Sequence, residues 1–286
     1  MKYAFIKYQA CNHSVVVLCR SLNVSRSGYY SWRARKPSAN AVKNNSLAEN
    51  ISDIHKETLY TYGSPRMHAE LTDKGHQTSR GRVERLMRKH GLAAIQGKKN
   101  KRTEQNRTNE SPVANILNRN FKSAAPNKKW VSDITFIQTR EGFLYLAVVL
   151  DLYSRAIVGW SMSHRIDENL VQDALSMAVE RRVIRNDLLL HSDQGSQYKA
   201  KGYQKRLRDL MITCSMSRKG ECHDNAVAES FFHSLKTELV CEQVYKNRSV
   251  ARQEIFKYIE VFYNRKRRHS TLGYKSPLDF EMLNVA

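Results

Sequence analysis

Three acidic residues are spaced so that they could share one reaction: Asp133, Asp193 and Glu229. Asp133 lies in Trp130-Val-Ser-Asp-Ile-Thr135, an apolar stretch that reads as a strand. Asp193 follows the apolar run Leu188-Leu-Leu190 and precedes Gln194-Gly195, as at the end of a second strand. Glu229 lies in Asp224-Asn-Ala-Val-Ala-Glu-Ser-Phe-Phe232, which reads as a helix; 35 residues separate it from Asp193. Carboxylate oxygens are the ligands that hard divalent cations such as Mg²⁺ prefer. Two such ions about 4 Å apart activate a nucleophile and stabilise a leaving oxygen on phosphorus. The expectation is therefore a phosphoryl-transfer site holding two Mg²⁺ or Mn²⁺ ions through Asp133, Asp193 and Glu229. Each acid alone has an ordinary reading: a strand-end residue, a turn former before glycine, and a helix-surface carboxylate.

Lys236 follows Glu229 by seven residues. Seven residues return almost to the same helix face about 10 Å further along. A lysine there is expected to reach a phosphate of a strand lying across the site. Its ordinary alternative is a surface pair with Glu238 or Glu242. Asp151 reads as a turn residue or a partner of Arg155, and Asp224-Asn225 as helix caps. His191 and His223 read first as hydrogen-bonded side chains that flank the acids.

The elements that must position these residues follow from periodicity. Strands are predicted over 131–138, 143–152, 156–162, 188–191 and 212–216. Helices are predicted over 167–183, with Leu170, Ala174, Leu175, Ala178 and Val179 buried, and over 201–210. Another starts at Asn225, and a last long one covers 250–263. Three hairpin-joined strands followed by alternating strands and helices make an α/β mixed sheet flanked by helices. Upstream, a helical pattern begins at Ser46, and 65–74 and 80–90 are helical, stopped by Gly75 and Gly91. Arg80, Arg82, Arg85 and Arg88 face away from Val83, Leu86 and Met87 on the second. This suggests a small all-α, helix-turn-helix-like DNA-binding region. Residues 1–36 read as helix, turn, helix with Ser25 as a cap.

The expected domains are an N-terminal helical arm (1–40), a helix-turn-helix-like DNA-binding domain (41–96), a basic linker (97–125) and a catalytic domain (126–286). The chain has 286 residues, with 48 Lys+Arg against 27 Asp+Glu, a net charge of +21. That points to a polyanionic partner, most simply nucleic acid. Residues 1–110 carry 21 basic and 8 acidic side chains, the denser share. The run Tyr263-Asn-Arg-Lys-Arg-Arg-His-Ser270 adds Arg265 and Arg268 as expected DNA contacts. Five scattered cysteines form no C-x-x-C pair, so neither a zinc site nor a disulfide framework is supported. The apolar stretch at 15–19 is too short for a signal or a membrane span, which makes a cytoplasmic protein the expectation.

The chain resembles the second-reading-frame (OrfB) transposases of the insertion-sequence three family, in the DDE transposase and retroviral-integrase superfamily. The resemblance is carried by Trp130-Val-Ser-Asp-Ile-Thr135, Val149-Leu-Asp-Leu-Tyr-Ser-Arg155, Ile157-Val-Gly-Trp160, His191-Ser-Asp-Gln-Gly-Ser-Gln-Tyr198 and Ser215-Met-Ser-Arg-Lys-Gly220. It continues through Asp224-Asn-Ala226, Glu229-Ser-Phe-Phe232, the 263–270 run and Leu272-Gly-Tyr-Lys-Ser-Pro277. Ser132 stands where Thr is expected, and Gln194 where Arg is common. The resemblance implies an RNase H-like (integrase-core) fold and metal-dependent DNA cleavage and strand transfer at terminal inverted repeats. It also implies an OrfA product or an OrfA–OrfB fusion as partner, a homo-oligomer on double-stranded DNA, a place on the bacterial nucleoid, and a basic residue at Lys236. A DNA-binding regulator that keeps the fold without the chemistry is the rival reading, and intact acids speak against it. A retroviral-type integrase is a nearer rival, against which stands the lack of a His-His-Cys-Cys zinc module.

Overall fold

The computed structural model describes residues 1–95, 113–184, 186–218, 222–240 and 243–284, the side chains of 222 and 223 excepted. The first part of the expected linker, to residue 112, thus lies outside the described residues. The chain forms two compact units, 1–51 and 52–286.

In the first unit, α1 (Lys2–Gln9), α2 (Val15–Ser21) and α3 (Arg26–Ala34) surround Ile6, Leu18, Cys19 and Tyr29. Ser14 and Ser25 cap α2 and α3 by accepting from the amides of Val16 and Gly28. The Ser25 cap is the expected one. Helix α1 was not expected, because its sequence KYAFIKYQ lacks a clear apolar stripe. Helix α4 (Ala39–Glu57) contains the boundary between the units.

The second unit begins with α5 (Ser64–Asp73) and α6 (Arg80–Lys89). Gly75 and Gly91 follow them at φ +83° and +66°, the left-handed geometry that ends a helix. Ser79 caps α6 through the Arg82 amide, and Val83, Leu86 and Met87 are buried as expected. The sheet has the order β3-β2-β1-β4-β5, built from β1 (Lys129–Thr139), β2 (Gly142–Asp151), β3 (Ile157–Ser163), β4 (Leu189–Ser192) and β5 (Thr213–Met216). Strands β1, β2 and β3 are antiparallel; β4 and β5 run parallel to β1. The strands lie where the apolar runs predict them.

Helix α7 (Glu168–Arg181) packs against this sheet, burying Leu170, Val171, Ala174, Leu175 and Ala178. A Cβ on Gly159 of β3 would sit 2.2 Å from the Ala174 carbonyl oxygen, so the helix approaches this closely only over glycine. Helices α8 (Ser196–Lys199) and α9 (Lys201–Asp209) connect β4 to β5. Helix α10 (Ala226–Leu235) continues as a wider π turn over Lys236–Val240. Helix α11 (Arg248–Phe256) likewise runs into a π segment, Lys257–Tyr263, and α12 (Pro277–Asn284) closes the described chain.

From residue 113 the expected linker is docked on the core. The amides of Ile116 and Leu117 both donate to Ser215 Oγ, and Leu117 is buried. Helix α5 is also fastened to the core. The Tyr62 hydroxyl donates to the Lys266 carbonyl and accepts from the Arg268 amide, both at 2.9 Å.

Candidate active site

Strand register explains how two of the acids meet. Ser132 of β1 pairs with Ser192 of β4 at the end of a parallel ladder. The next residue on each strand is an acid, so Asp133 and Asp193 leave the ladder at the same level on neighbouring strands. The Ser132 hydroxyl bridges the Val148 carbonyl and the Tyr198 hydroxyl, both at 2.9 Å, and fixes this level. The third acid arrives by helix. Asn225 Nδ2 donates to the Ser132 carbonyl at 3.3 Å, tying the start of α10 to β1. Glu229 lies one turn further along, beside the buried Ala228, Phe231 and Phe232.

Electrostatics shows that the three acids share a neighbourhood. Burial, then the Asp193 charge and more weakly that of Glu229, push the Asp133 carboxyl up to about 7; the Ile134 amide and Lys236 oppose the rise. Burial also raises Asp193, against the Gly195 amide and the Lys199 ammonium. Asp133 and Asp193 each turn one oxygen to a local amide, Ile134 at 2.8 Å and Gly195 at 2.9 Å. Among the described residues, no group of three or more His, Cys, Asp and Glu side chains is arranged to hold a metal ion. The donors are the right kind for Mg²⁺, and their mutual repulsion is what a cation would relieve. Each amide occupies one oxygen, Oδ1, and leaves Oδ2 of Asp133 and of Asp193 as the oxygen that could ligate a cation.

Lys236 lies beside Phe136 and Asp133 of β1. Its ammonium lies 4.9 Å from the centre of the Phe136 ring and feels the Asp133 charge, while burial lowers its affinity for the proton. The π turn begins at this residue. The surface pair with Glu238 does not form, because Glu238 accepts from Arg267 at 2.6 Å and from the Tyr258 hydroxyl at 2.7 Å. Glu242 lies outside the described residues.

Several other expectations resolve. The Asp151 carboxylate accepts the Asn127 and Tyr153 amides at 2.7 and 2.8 Å, which makes it a turn residue. Buried His191 bonds Ser215 Oγ at 2.8 Å and Ser217 Oγ at 3.1 Å, and burial holds its imidazole down to about 4. The His223 side chain lies outside the described residues. Asp224 is not a cap: its buried carboxylate gathers Asn115 and Arg119 at 2.7 Å and the Arg218 amide at 3.0 Å. Burial alone would raise its pKa, yet the Arg218 and Arg119 contacts hold it well below the usual carboxylate range. Asn225 occupies the cap position, but its side chain makes no cap hydrogen bond. Neither role was legible, because Asp-Asn before a helix has the composition of a cap.

Of the expected DNA contacts, Arg80, Arg85 and Arg88 are exposed on α6, Arg82 is half-buried, and Arg88 pairs with Glu84 at 2.9 Å. Arg265 is exposed as expected. Arg268 is not available to a phosphate: it binds Glu70 at 2.6 Å, Asp73 at 2.7 Å and the Tyr274 carbonyl at 2.8 Å. Its two acidic partners lie 198 and 195 positions away in sequence, which no local charge pattern reveals.

Comparison with known proteins bears on this geometry. The integrase core domain family matches residues 123–222, a second integrase core domain family matches 229–284, and an HTH-like domain family matches 43–100. The HTLV-2 integrase catalytic core domain in complex with magnesium is a structural neighbour, at 14% identity and a TM-score of 0.43 over 56% of this chain and 99% of that one. The transposase of insertion sequence element IS904 from Lactococcus lactis subsp. lactis is 45% identical over 87% of this chain and 99% of its own. The transposase InsF of insertion sequence IS3A from Escherichia coli strain K12 is 40% identical, with the whole of both chains covered. At that identity and coverage, with the integrase-core fold in place, the chain belongs to the IS3 family of transposases.

Proposed function

We propose that Asp133, Asp193 and Glu229 are the catalytic acids with which this transposase cleaves DNA at the ends of an insertion sequence and joins the freed 3′-hydroxyl to a target strand. The observation that supports this most is the β1/β4 register, which sets Asp133 and Asp193 level, with α10 tied to the same point through Asn225. Two Mg²⁺ or Mn²⁺ ions held by these acids would supply the Lewis acidity that makes water, and then the 3′-hydroxyl, nucleophilic and offsets charge on the leaving oxygen. The protein's own part is positioning. Asn225 holds the helix of Glu229 on the strand of Asp133, and Ser132 and Tyr198 hold that strand in level. The carboxylates give up a proton when they take up a cation. The experiment is strand transfer on duplex carrying the element's ends, with Mg²⁺ as the only divalent ion. No joining by the wild type on such ends would favour a DNA-binding regulator, and joining that persists without the acids would remove them from the chemistry.

On this reading the terminal inverted repeats and target DNA are the partners, together with a second copy of the chain and an OrfA product or OrfA–OrfB fusion, on the bacterial nucleoid in the cytoplasm. Residues 41–96 would bind DNA, and the segment from 126 onward would carry the chemistry. Among the described residues, no helix is long and apolar enough to cross a membrane.

Lys236 is assigned to a phosphate of the strand beside Asp133. Lys236→Ala should lower strand transfer severalfold at limiting DNA and leave thermal stability little changed, whereas Lys236→Arg should keep much of the activity. A wild-type yield from Lys236→Ala would show that the ammonium serves only Phe136 and the surface.

The face of α6 is assigned to duplex phosphates. The log of affinity falls by roughly 0.9 per neutralised phosphate for each tenfold rise in salt. The triple change of Arg82, Arg85 and Arg88 to Gln should therefore flatten that slope by up to about 2.7 units, read by fluorescence anisotropy. An unchanged slope places α6 away from DNA.

A further inference from the structure

The first unit carries a charge pattern that the catalytic reading does not use. No Asp or Glu precedes Glu49, whereas eight Lys and Arg do. Its three helices thus contain no carboxylate. A structural surface normally interleaves both signs, as α6 does where Glu84 takes Arg88.

The geometry of this unit is specific. Helix α2 ends at Ser21, the chain turns through residues 22–25, and α3 begins at Arg26. Asn23 takes a left-handed φ of 51° in the turn, and the Lys2 ammonium donates to the Leu22 carbonyl at 2.9 Å, tying α1 to that turn. Tyr29 turns inward with Leu18, Cys19 and Ile6, and Trp32 packs beside it. The flank of α3 beside Tyr29 presents Arg26, Tyr30 and Arg33, all exposed. Their spacing of four and three residues makes one stripe about 10 Å long. Tyr30 stands edge-on to the buried Tyr29, 5.3 Å between ring centres, which restrains its ring at the surface. A stripe of two guanidiniums and one phenol on the second helix of a helix–turn–helix fits the major groove, which is about 12 Å wide and offers paired acceptors on guanine.

We propose that α3 is a second DNA-reading element, set in the major groove of the insertion-sequence ends through Arg26, Tyr30 and Arg33, separate from the HTH-like segment at 43–100. It rests on the reading that this chain acts on such ends, but it does not depend on the three acids.

The test is guanine-N7 methylation protection of the full-length chain on duplex carrying the terminal repeats, with a scrambled duplex of equal length as control. EDTA is present so that cleavage does not enter. A protected guanine patch is expected on the ends with the wild type. It should be lost in Arg26→Lys/Arg33→Lys, which keeps the charge but not the bidentate fork. Affinity for the ends should fall roughly tenfold in Arg26→Ala/Arg33→Ala. Lys7→Gln/Lys36→Gln removes the same charge from the same region and should keep the protected patch. Circular dichroism should show the α3 variants folded, because their changed side chains are exposed. Protection that survives in both α3 variants, or vanishes equally in the Lys7/Lys36 control, overturns the proposal. So does a wild type that protects no guanine in the ends, and strand-transfer activity, measured separately with Mg²⁺, is then left to its own test.

Discussion

Replacing Asp133 by Asn is expected to abolish strand transfer and at the same time to raise the melting temperature of the metal-free protein. The two effects have one cause. The carboxyl of Asp133 sits at about 7 because burial and the charges of Asp193 and Glu229 disfavour its ionised form. A carboxyl raised from an ordinary value near 4 to about 7 carries at most about 4 kcal/mol of destabilisation at neutral pH, at 1.36 kcal/mol per unit. Water and counterions near Lys236 will recover part of it, so a gain of about 1–2 kcal/mol is reasonable, or about 2–6 °C for a chain of this size. The sign fixes the pH window. The folded protein holds this proton more tightly than the unfolded chain, so the penalty is full above pH 7 and fades as pH falls towards 4. The stabilisation by Asp133→Asn should fade over the same window and vanish below it. Asp193→Asn and Glu229→Gln should be equally inactive in Mg²⁺. DNA affinity in EDTA should be nearly unchanged for all three, since no cationic contact is removed. Strand transfer surviving in any one variant removes that acid from the site. A melting temperature that falls in Asp133→Asn would mean that the charge is satisfied within the fold, contrary to its surroundings.

The sheet was legible because its strands are apolar runs separated by turn residues, and hairpin pairing follows from a two-residue connection at Gly142. The three candidate acids stood out because Asp133 interrupts an apolar strand pattern, Asp193 follows the run Leu188-Leu-Leu190 and Glu229 lies in a helical segment. What escaped notice was decided by contacts between distant segments. Asp224 looks like a cap locally, but Asn115, Arg119 and Arg218 reach it from other loops. The contact of Lys236 with the Phe136 ring joins α10 to β1, and no spacing within the helix anticipates it. The 263–270 run looks like a single basic patch, yet its members divide. Arg265 and Lys266 are exposed, while Arg267 is buried and Arg268 is bound to Glu70 and Asp73. Local composition counts charges; it cannot say which of them the fold has already neutralised.

Arg267 shows the consequence most sharply, and its removal is expected to destabilise the chain by about 3 kcal/mol. Its side chain is 5% exposed and that of Glu238 8%, so the pair is out of water. The guanidinium grips both Glu238 oxygens, at 2.6 and 2.7 Å, and Ser234 Oγ at 3.1 Å, and it lies 5.6 Å from the centre of the Tyr263 ring. Arg267→Ala strands a buried carboxylate, which only Arg66 at 3.7 Å and the Tyr258 hydroxyl would still face. The expected fall in melting temperature is about 6–12 °C. Replacing both partners by apolar residues, Arg267→Met with Glu238→Leu, should recover much of that loss, because the cost lies in the uncompensated charge rather than in the missing contact. Function should follow position. Ser234 and Glu238 flank Lys236 in the segment that continues the helix of Glu229, so Arg267→Ala should also lower strand transfer below the melting range. The salt dependence of DNA binding separates this role from a phosphate contact. A buried strut leaves the slope of log affinity against log salt unchanged, whereas a phosphate ligand would take about 0.9 from it. A flattened slope with an unshifted melting temperature would return Arg267 to the DNA-facing side.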